Sequence, residues 1–126
     1  MALTFLARWY PRPERLEEFL GILGGLASNI LPDVAAGLSQ MHTVLNRNGE
    51  FLAFEIWNSE EAINSFRRSA QFHEAVRAMS ACCSRPLEFE HLDALGGDGS
   101  LFKRYPAGKP DPQFYPDLGP MTPVWR

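Results

Sequence analysis

Residues 38–57 read LSQMHTVLNRNGEFLAFEIW, and this stretch decides the fold. Leu38 to Asn46 has the composition of a strand, and Phe51 to Trp57 that of its return. Between them Asn48-Gly49 is a strong two-residue turn signal, because both central positions of the tight hairpin turn need positive φ. With that turn Arg47 faces Glu50, and counting back along both strands places His42 opposite Glu55. Opposed residues point to the same face, with Cβ atoms roughly 4.5–5.5 Å apart. Trp57, two residues beyond Glu55, shares that face. A histidine, a carboxylate and an indole are thus expected on one side of a sheet. A one-residue change in the loop would put His42 and Glu55 on opposite faces.

Upstream, Leu3 to Tyr10 alternates, with Leu3, Phe5, Ala7 and Trp9 on one face. Pro11 and Pro13 stop it. Pro13 is placed to open a helix, and Glu14, Glu17 and Glu18 favour the positive end of its dipole. Leu16, Phe19, Leu20, Leu23, Ala27 and Ile30 then recur at the spacing of one buried helix face. Gly24 and Gly25 interrupt that pattern, and weaken the helix, let it pack closely or break it.

Downstream, Asn58 is placed to cap a second helix, with Glu61 three residues on to close a capping box. Its core face runs through Ala62, Ile63 and Phe66, and a continuation or second piece carries Phe72, Ala75, Val76 and Met79. After Pro86 a last strand, Leu87 to Leu92, sets Leu87, Phe89 and His91 against Glu88 and Glu90. His73 and His91 fall on expected exposed faces. The order is β-α-β-β-α-β, a ferredoxin-like α+β fold with a four-stranded antiparallel sheet and helices on one face. Leu52, Phe54 and Ile56 would then line the bare face of the sheet. A second copy of the chain is the simplest cover for such a surface, so a homodimer through the sheet face is expected.

Residues 1–95 make up this domain, and 96–126 are different in kind. Six prolines and five glycines in that stretch exclude a regular helix or a central strand. Phe102, Tyr105, Phe114, Tyr115 and Trp125 are too many aromatics for a purely solvated tail. The segment reads as an extended arm docked on its own domain or on the partner, and it is expected to cross over and lid the pocket or clamp the dimer.

With 126 residues, 45% of them hydrophobic and 21% charged, the chain has the length and composition of one globular domain. A net charge of −3, with basic residues scattered among acids, argues against nucleic-acid binding. No apolar run approaches the roughly 20 residues needed to span a bilayer, and Met1 to Leu6 lacks the features of a signal peptide; a cytoplasmic location and no membrane partner are expected. Cys82 and Cys83 are neighbours, read as two free thiols with a structural role. They lack metal-ligand spacing, and no metal is expected.

Three stretches carry a resemblance. Arg8-Trp9-Tyr10-Pro11-Arg12-Pro13-Glu14-Arg15 resembles the first strand-to-helix turn of the antibiotic biosynthesis monooxygenase family. Phe54-Glu55-Ile56-Trp57-Asn58-Ser59-Glu60-Glu61-Ala62 resembles its E-x-W-x-S-x-E-A pattern, and Arg68-Ser69-Ala70-Gln71-Phe72 its S-P-H-F turn with Pro and His replaced. The resemblance covers residues 2 to about 92. It implies a dimeric α+β barrel and an enzyme that oxidises phenols or quinols with molecular oxygen as co-substrate and no cofactor. In haem-degrading relatives the functional Asn, Trp and His fall at Ala7, Phe66 and Val76 of this chain. Valine cannot ligate iron, so haem is not expected. Against the quinone-forming, actinorhodin-type members, Trp57 and Arg77 match. Their Asn and Tyr are Ala53 and Ile63, and their His aligns with Val44, two residues from His42 on the same face. Their mechanism is an expectation here: the enzyme deprotonates a phenol, and the phenolate reduces oxygen.

Read from the residues, His42 would accept the phenolic proton and Glu55 would fix its tautomer. Trp57, Trp9, Phe66 and Phe72 would form aromatic walls, and Arg77 would hold the developing oxyanion. The structural alternative keeps His42 and Glu55 as a satisfied polar pair, Trp57 as a core anchor and Arg77 as a solvated helix residue. The expected function is a cofactor-independent monooxygenase acting on a small phenolic, quinol or polyketide-like aromatic compound. The competitors are an acid–base isomerase and a non-catalytic ligand-binding protein.

Overall fold

Alternation in Leu3–Trp9 produces strand β1, whose Phe5, Ala7 and Trp9 are all buried on one side. The fold is that of a computed structural model in which residues 3–26, 37–92 and 116–126 are described. Pro13 does start a helical segment, but its first turn, Pro13–Arg15, is 3-10. Helix α1, Leu16–Gly25, continues through both glycines and ends at Leu26. Phe19 is its fully buried residue, whereas Leu20, assigned to the same face by the sequence pattern, is 38% exposed. Ala27 and Ile30 lie outside the described residues.

Strands β2, Leu38–Leu45, and β3, Phe51–Trp57, form the expected hairpin. Helices α2, Glu60–Arg68, and α3, Ala70–Ser80, follow, then strand β4, Glu88–Leu92. Ser59, not Asn58, caps α2, its side chain accepting from the Ala62 N–H at 3.1 Å. That shift leaves Glu61 one position short of the capping-box geometry. Ser69 ends α2 and caps α3 through the Phe72 N–H at 3.1 Å, so the two helices are separate pieces.

The helices cover one face of an open sheet of order β2-β3-β1-β4-β5. The first four strands are antiparallel, as expected. The fifth is an addition to the expected four: β5, Val124–Trp125, comes from the end of the proline-rich arm and pairs parallel to β4 of its own chain. Two residues after Pro123 at a sheet edge is where a proline-rich segment can pair without losing a ladder bond. The arm's described end therefore docks on its own β4, and residues 96–115 lie outside the described residues.

The core between sheet and helices is aromatic. Phe19 packs edge-on to Trp9 and Phe51 at 5.6 and 5.3 Å, and Phe66 lies between Trp57 and Phe72 at 5.2 and 4.8 Å. Cys82 and Cys83 are buried free thiols at the end of α3, and burial pushes the Cys83 thiol up to about 11. On the opposite face the register sets Leu6 beside Phe54 and Val44 beside Leu52, with Val44 55% exposed. No described helix is long and apolar enough to cross a membrane.

Candidate functional site

The β2–β3 turn sets which side chains enter the site. Asn46 N–H donates to the Glu50 carbonyl at 3.0 Å and Gly49 N–H to the Asn46 carbonyl at 3.1 Å, so three residues, not two, make the loop. The Asn46 side chain accepts from the Asn48 and Glu50 N–H groups at 2.9 and 3.0 Å, and Gly49 takes φ +80°. This is a turn closed by a left-handed glycine, and an asparagine that bonds its own downstream backbone selects it. The extra loop residue slips the register by one. Met41, not His42, faces Glu55, and His42 pairs with Phe54 on the face away from the helices, where it is exposed. The expected His42–Glu55 pair is not formed.

A bulge at Ser39 restores the phase further along β2: Leu38 faces Trp57 while Gln40 faces Ile56, and the Ser39 hydroxyl donates to the Ile56 carbonyl at 3.0 Å. Leu38 and Met41 both reach the core by this device.

The helix-side face of β3 carries Phe51, Ala53, Glu55 and Trp57. Beneath it lies a cavity of about 50 Å³, walled by Trp9, Phe51, Phe66 and Phe72, with Met41 and Glu55 from the hairpin. Leu23 and Leu26, from the last turn of α1, close one side. Among the described residues of this lining, Glu55 is the only ionisable one. The Trp57 indole N–H donates to Glu55 Oε1 at 3.1 Å. Burial pushes the Glu55 carboxyl above its ordinary range, while the Trp57 hydrogen bond and the charge of Arg67 oppose the rise. The result is a carboxyl that binds a proton more tightly than usual inside an aromatic enclosure.

Of the residues expected in the site, Trp9, Phe66, Phe72 and Glu55 come together around the cavity. Trp57 is wholly buried and stands one layer behind, with its ring on Phe66 and its N–H on Glu55. It orients the carboxyl and does not line the cavity. Arg77 is exposed, because α3 buries Phe72, Ala75, Val76 and Met79 instead. It does not reach the cavity. Ala7, Phe66 and Val76, the positions weighed for haem in the sequence, all line the same cavity.

Sequence reading missed Arg67, which is 2% exposed. Its spacing from Ile63 and Phe66 puts it on the buried face of α2, a periodicity that the charge concealed. His73 and His91 also depart from expectation. Both are half-buried; the His73 ring nitrogen bonds the Arg67 carbonyl at 2.7 Å, and His91 packs edge-on to Phe5 at 4.4 Å. Among the described residues no three His, Cys, Asp or Glu side chains group so as to hold a metal ion.

The family model for antibiotic biosynthesis monooxygenases matches residues 2–78. Among solved structures, a conserved protein of Methanosarcina mazei is 21% identical with a TM-score of 0.64, covering 71% of this chain and 88% of its own. A Mycobacterium tuberculosis protein is 21% identical with a TM-score of 0.66, covering 77% and 98%. A variant of SnoaB, a cofactor-independent oxygenase from Streptomyces nogalater, is 16% identical with a TM-score of 0.64, covering 76% and 95%. At these identities the likeness is one of fold. Among curated protein sequences none matches the chain significantly.

Proposed function

The chain belongs to the antibiotic biosynthesis monooxygenase family, and we propose that it oxidises a small phenol or quinol with molecular oxygen, without a prosthetic group. The observation that carries this reading is Glu55, a carboxyl of raised proton affinity in a cavity whose other described lining residues are apolar or aromatic. SnoaB, a cofactor-independent oxygenase of the same fold, supports it.

In this reading Glu55, not His42, is the base. A carboxylate of raised pKa accepts a phenolic proton more readily than an ordinary one. The phenolate left among Trp9, Phe66 and Phe72 is electron-rich and transfers electrons to oxygen directly. Oxygen adds at a hydrogen-bearing ring carbon ortho or para to the phenolate oxygen; the peroxide takes up the proton, and loss of water with that hydrogen leaves a quinone. One oxygen atom is retained and the other departs as water.

A cavity of about 50 Å³ holds one or two waters, well short of the ~300–1,000 Å³ of ordinary ligand pockets. Substrate entry therefore requires a wall to yield. The last turn of α1 is the candidate wall, since Leu23 and Leu26 flank two residues of low helix propensity, Gly24 and Gly25. The apolar row of Leu6, Val44, Leu52, Phe54 and Ile56 supports a homodimer through the bare sheet face; a monomeric Phe54→Asp variant beside a dimeric wild type in sedimentation would bear this out.

Oxygen uptake with one- and two-ring phenols and quinols tests the reaction. Uptake with quinone formation, reduced at least a hundredfold in Glu55→Gln, is the expected result. Turnover that persists without oxygen would assign an acid–base isomerisation to the same carboxyl. Absence of both, with a ligand still bound, would mark a binding protein.

A further inference from the structure

Arg67 is a cation buried where the reaction does not obviously need one. It lies on α2 at 2% exposure, and a guanidinium withdrawn that far from water must be compensated. Part of the compensation is aromatic. Its guanidinium carbon is 4.7 Å from the centre of the Phe5 ring, 4.8 Å from that of Trp125 and 5.7 Å from that of Phe89. These rings come from β1, β5 and β4, so three strands, one of them the C-terminal arm, converge on one helix residue.

Phe5 is also the direct cross-strand partner of Glu55. The ring under the guanidinium is therefore the immediate neighbour of the cavity's carboxyl. Trp125 packs beside Phe5 over the same guanidinium, with ring centres 6.0 Å apart; it also stacks on Phe89 at 5.0 Å and meets His91 edge-on at 4.7 Å. Its strand is held by Val124 N–H to the Leu87 carbonyl and Arg126 N–H to the Phe89 carbonyl, both at 2.8 Å, and by Arg126 against Glu88 at 3.0 Å.

We propose that Arg67, walled off from water by Trp125, is the counter-charge that lets Glu55 stand in the cavity as a carboxylate, and that docking of the C-terminal strand completes the site. The proposal rests on the reading of Glu55 as the base, and Arg67 acts through Glu55 as a positioning residue. In the apolar interior a unit charge acts over several ångströms with far less attenuation than in water. The direction agrees: the charge of Arg67 lowers the Glu55 pKa against the effect of burial.

Among the described residues, the other elements around Glu55 bring no competing charge. β2 offers Met41, β1 Phe5, β3 the Trp57 N–H, α1 Leu23 and Leu26, and α3 Phe72 and its apolar neighbours. From β4, His91 faces Arg67, but burial and that cation push it down to about 4. It is therefore neutral where Glu55 must work.

The experiment is a carbon-13 titration of the Glu55 carboxyl in the full-length protein, its resonance assigned by its loss in Glu55→Gln. Arg67→Met is expected to raise the midpoint by about one pH unit or more, a tenfold change in proton affinity. Arg67→Lys should restore most of it, and Trp125→Ala should move the midpoint the same way by less, as water reaches and screens the guanidinium. The acid limb of kcat/KM should move up with each midpoint. An unchanged midpoint in folded Arg67→Met overturns the proposal; should that variant not fold, an unchanged midpoint in Trp125→Ala does so. Shifted midpoints in a protein that takes up no oxygen uphold the Arg67–Glu55 coupling and overturn only the oxidation chemistry.

Discussion

The Trp57 indole N–H reaches Oε1 of Glu55, two residues back on the same strand, at 3.1 Å. This relationship gives the tryptophan of the E-x-W pattern a role distinct from that of a substrate wall: it satisfies a half-buried carboxyl that the cavity leaves otherwise among apolar groups. Trp57→Phe keeps a ring against Phe66 but removes the donor and part of the buried indole, and the packing loss is the same at every pH. Hydrogen bonds to charged groups are worth about 1.5–3 kcal/mol, so beyond the packing loss the variant should lose that much where Glu55 is ionised and less where it is protonated. Urea unfolding at pH 8 and at pH 4 measures the difference. An equal loss at both would show that the bond contributes nothing specific to the carboxylate.

Glu55 also makes the protein's stability depend on pH. Its folded-state pKa is raised above the ordinary value of 4.5, so between the two values the folded chain binds the proton that the unfolded chain releases. Stability contributed by the protonated carboxyl is present below 4.5 and lost as pH rises through the folded value. Glu55→Gln removes that slope while retaining an acceptor for Trp57. The melting temperature of the variant should therefore gain on the wild type between pH 4 and pH 8. Parallel melting curves across that range would mean that Glu55 titrates normally.

How much of this was legible in the sequence differs by level. Strands, helices and their order follow from periodicity, and periodicity survives small errors in boundaries. Register does not survive them. The reading of Asn48-Gly49 as a two-residue turn was overridden by Asn46, whose side chain bonds two downstream N–H groups and stretches the loop by one residue. That residue exchanged His42 for Met41 opposite Glu55 and removed the expected base from the site. Arg67 escaped for a related reason: a charge on a helix reads as solvated unless the partners that cover it are known, and one of them, Trp125, is 58 positions further along the chain.

His91 should make the folded state sensitive to acid. Its pKa is pushed from 6.5 down to about 4, by burial first and by the charge of Arg67 second. The unfolded chain takes up a proton near pH 6.5 that the folded chain refuses until about 4, so stability is lost as pH falls through that interval. With allowance for its partial exposure the loss is about 1–2 kcal/mol. His91→Phe keeps an aromatic ring beside Phe5 and Trp125 and cannot titrate. Because Glu55 is present in both proteins, its opposite slope cancels in the comparison. Wild type and variant should converge in stability at pH 7 and separate in favour of the variant at pH 4; no separation would place His91 in contact with water.

The last turn of α1 is the wall expected to yield when substrate enters. Gly24 and Gly25 are helical, and a Cβ added at either position meets nothing within 4 Å. Alanine there costs no contact and removes the conformational freedom of glycine in the unfolded chain, worth about 0.5–1 kcal/mol at each position. The double variant Gly24→Ala, Gly25→Ala should thus melt several degrees higher. If Leu23 and Leu26 must swing aside to admit a ring, stiffening this turn should lower kcat/KM by severalfold while leaving the Glu55 titration in place. A more stable protein with unchanged kcat/KM would mean that the cavity opens elsewhere, and the hairpin side at Met41 would become the entrance to test.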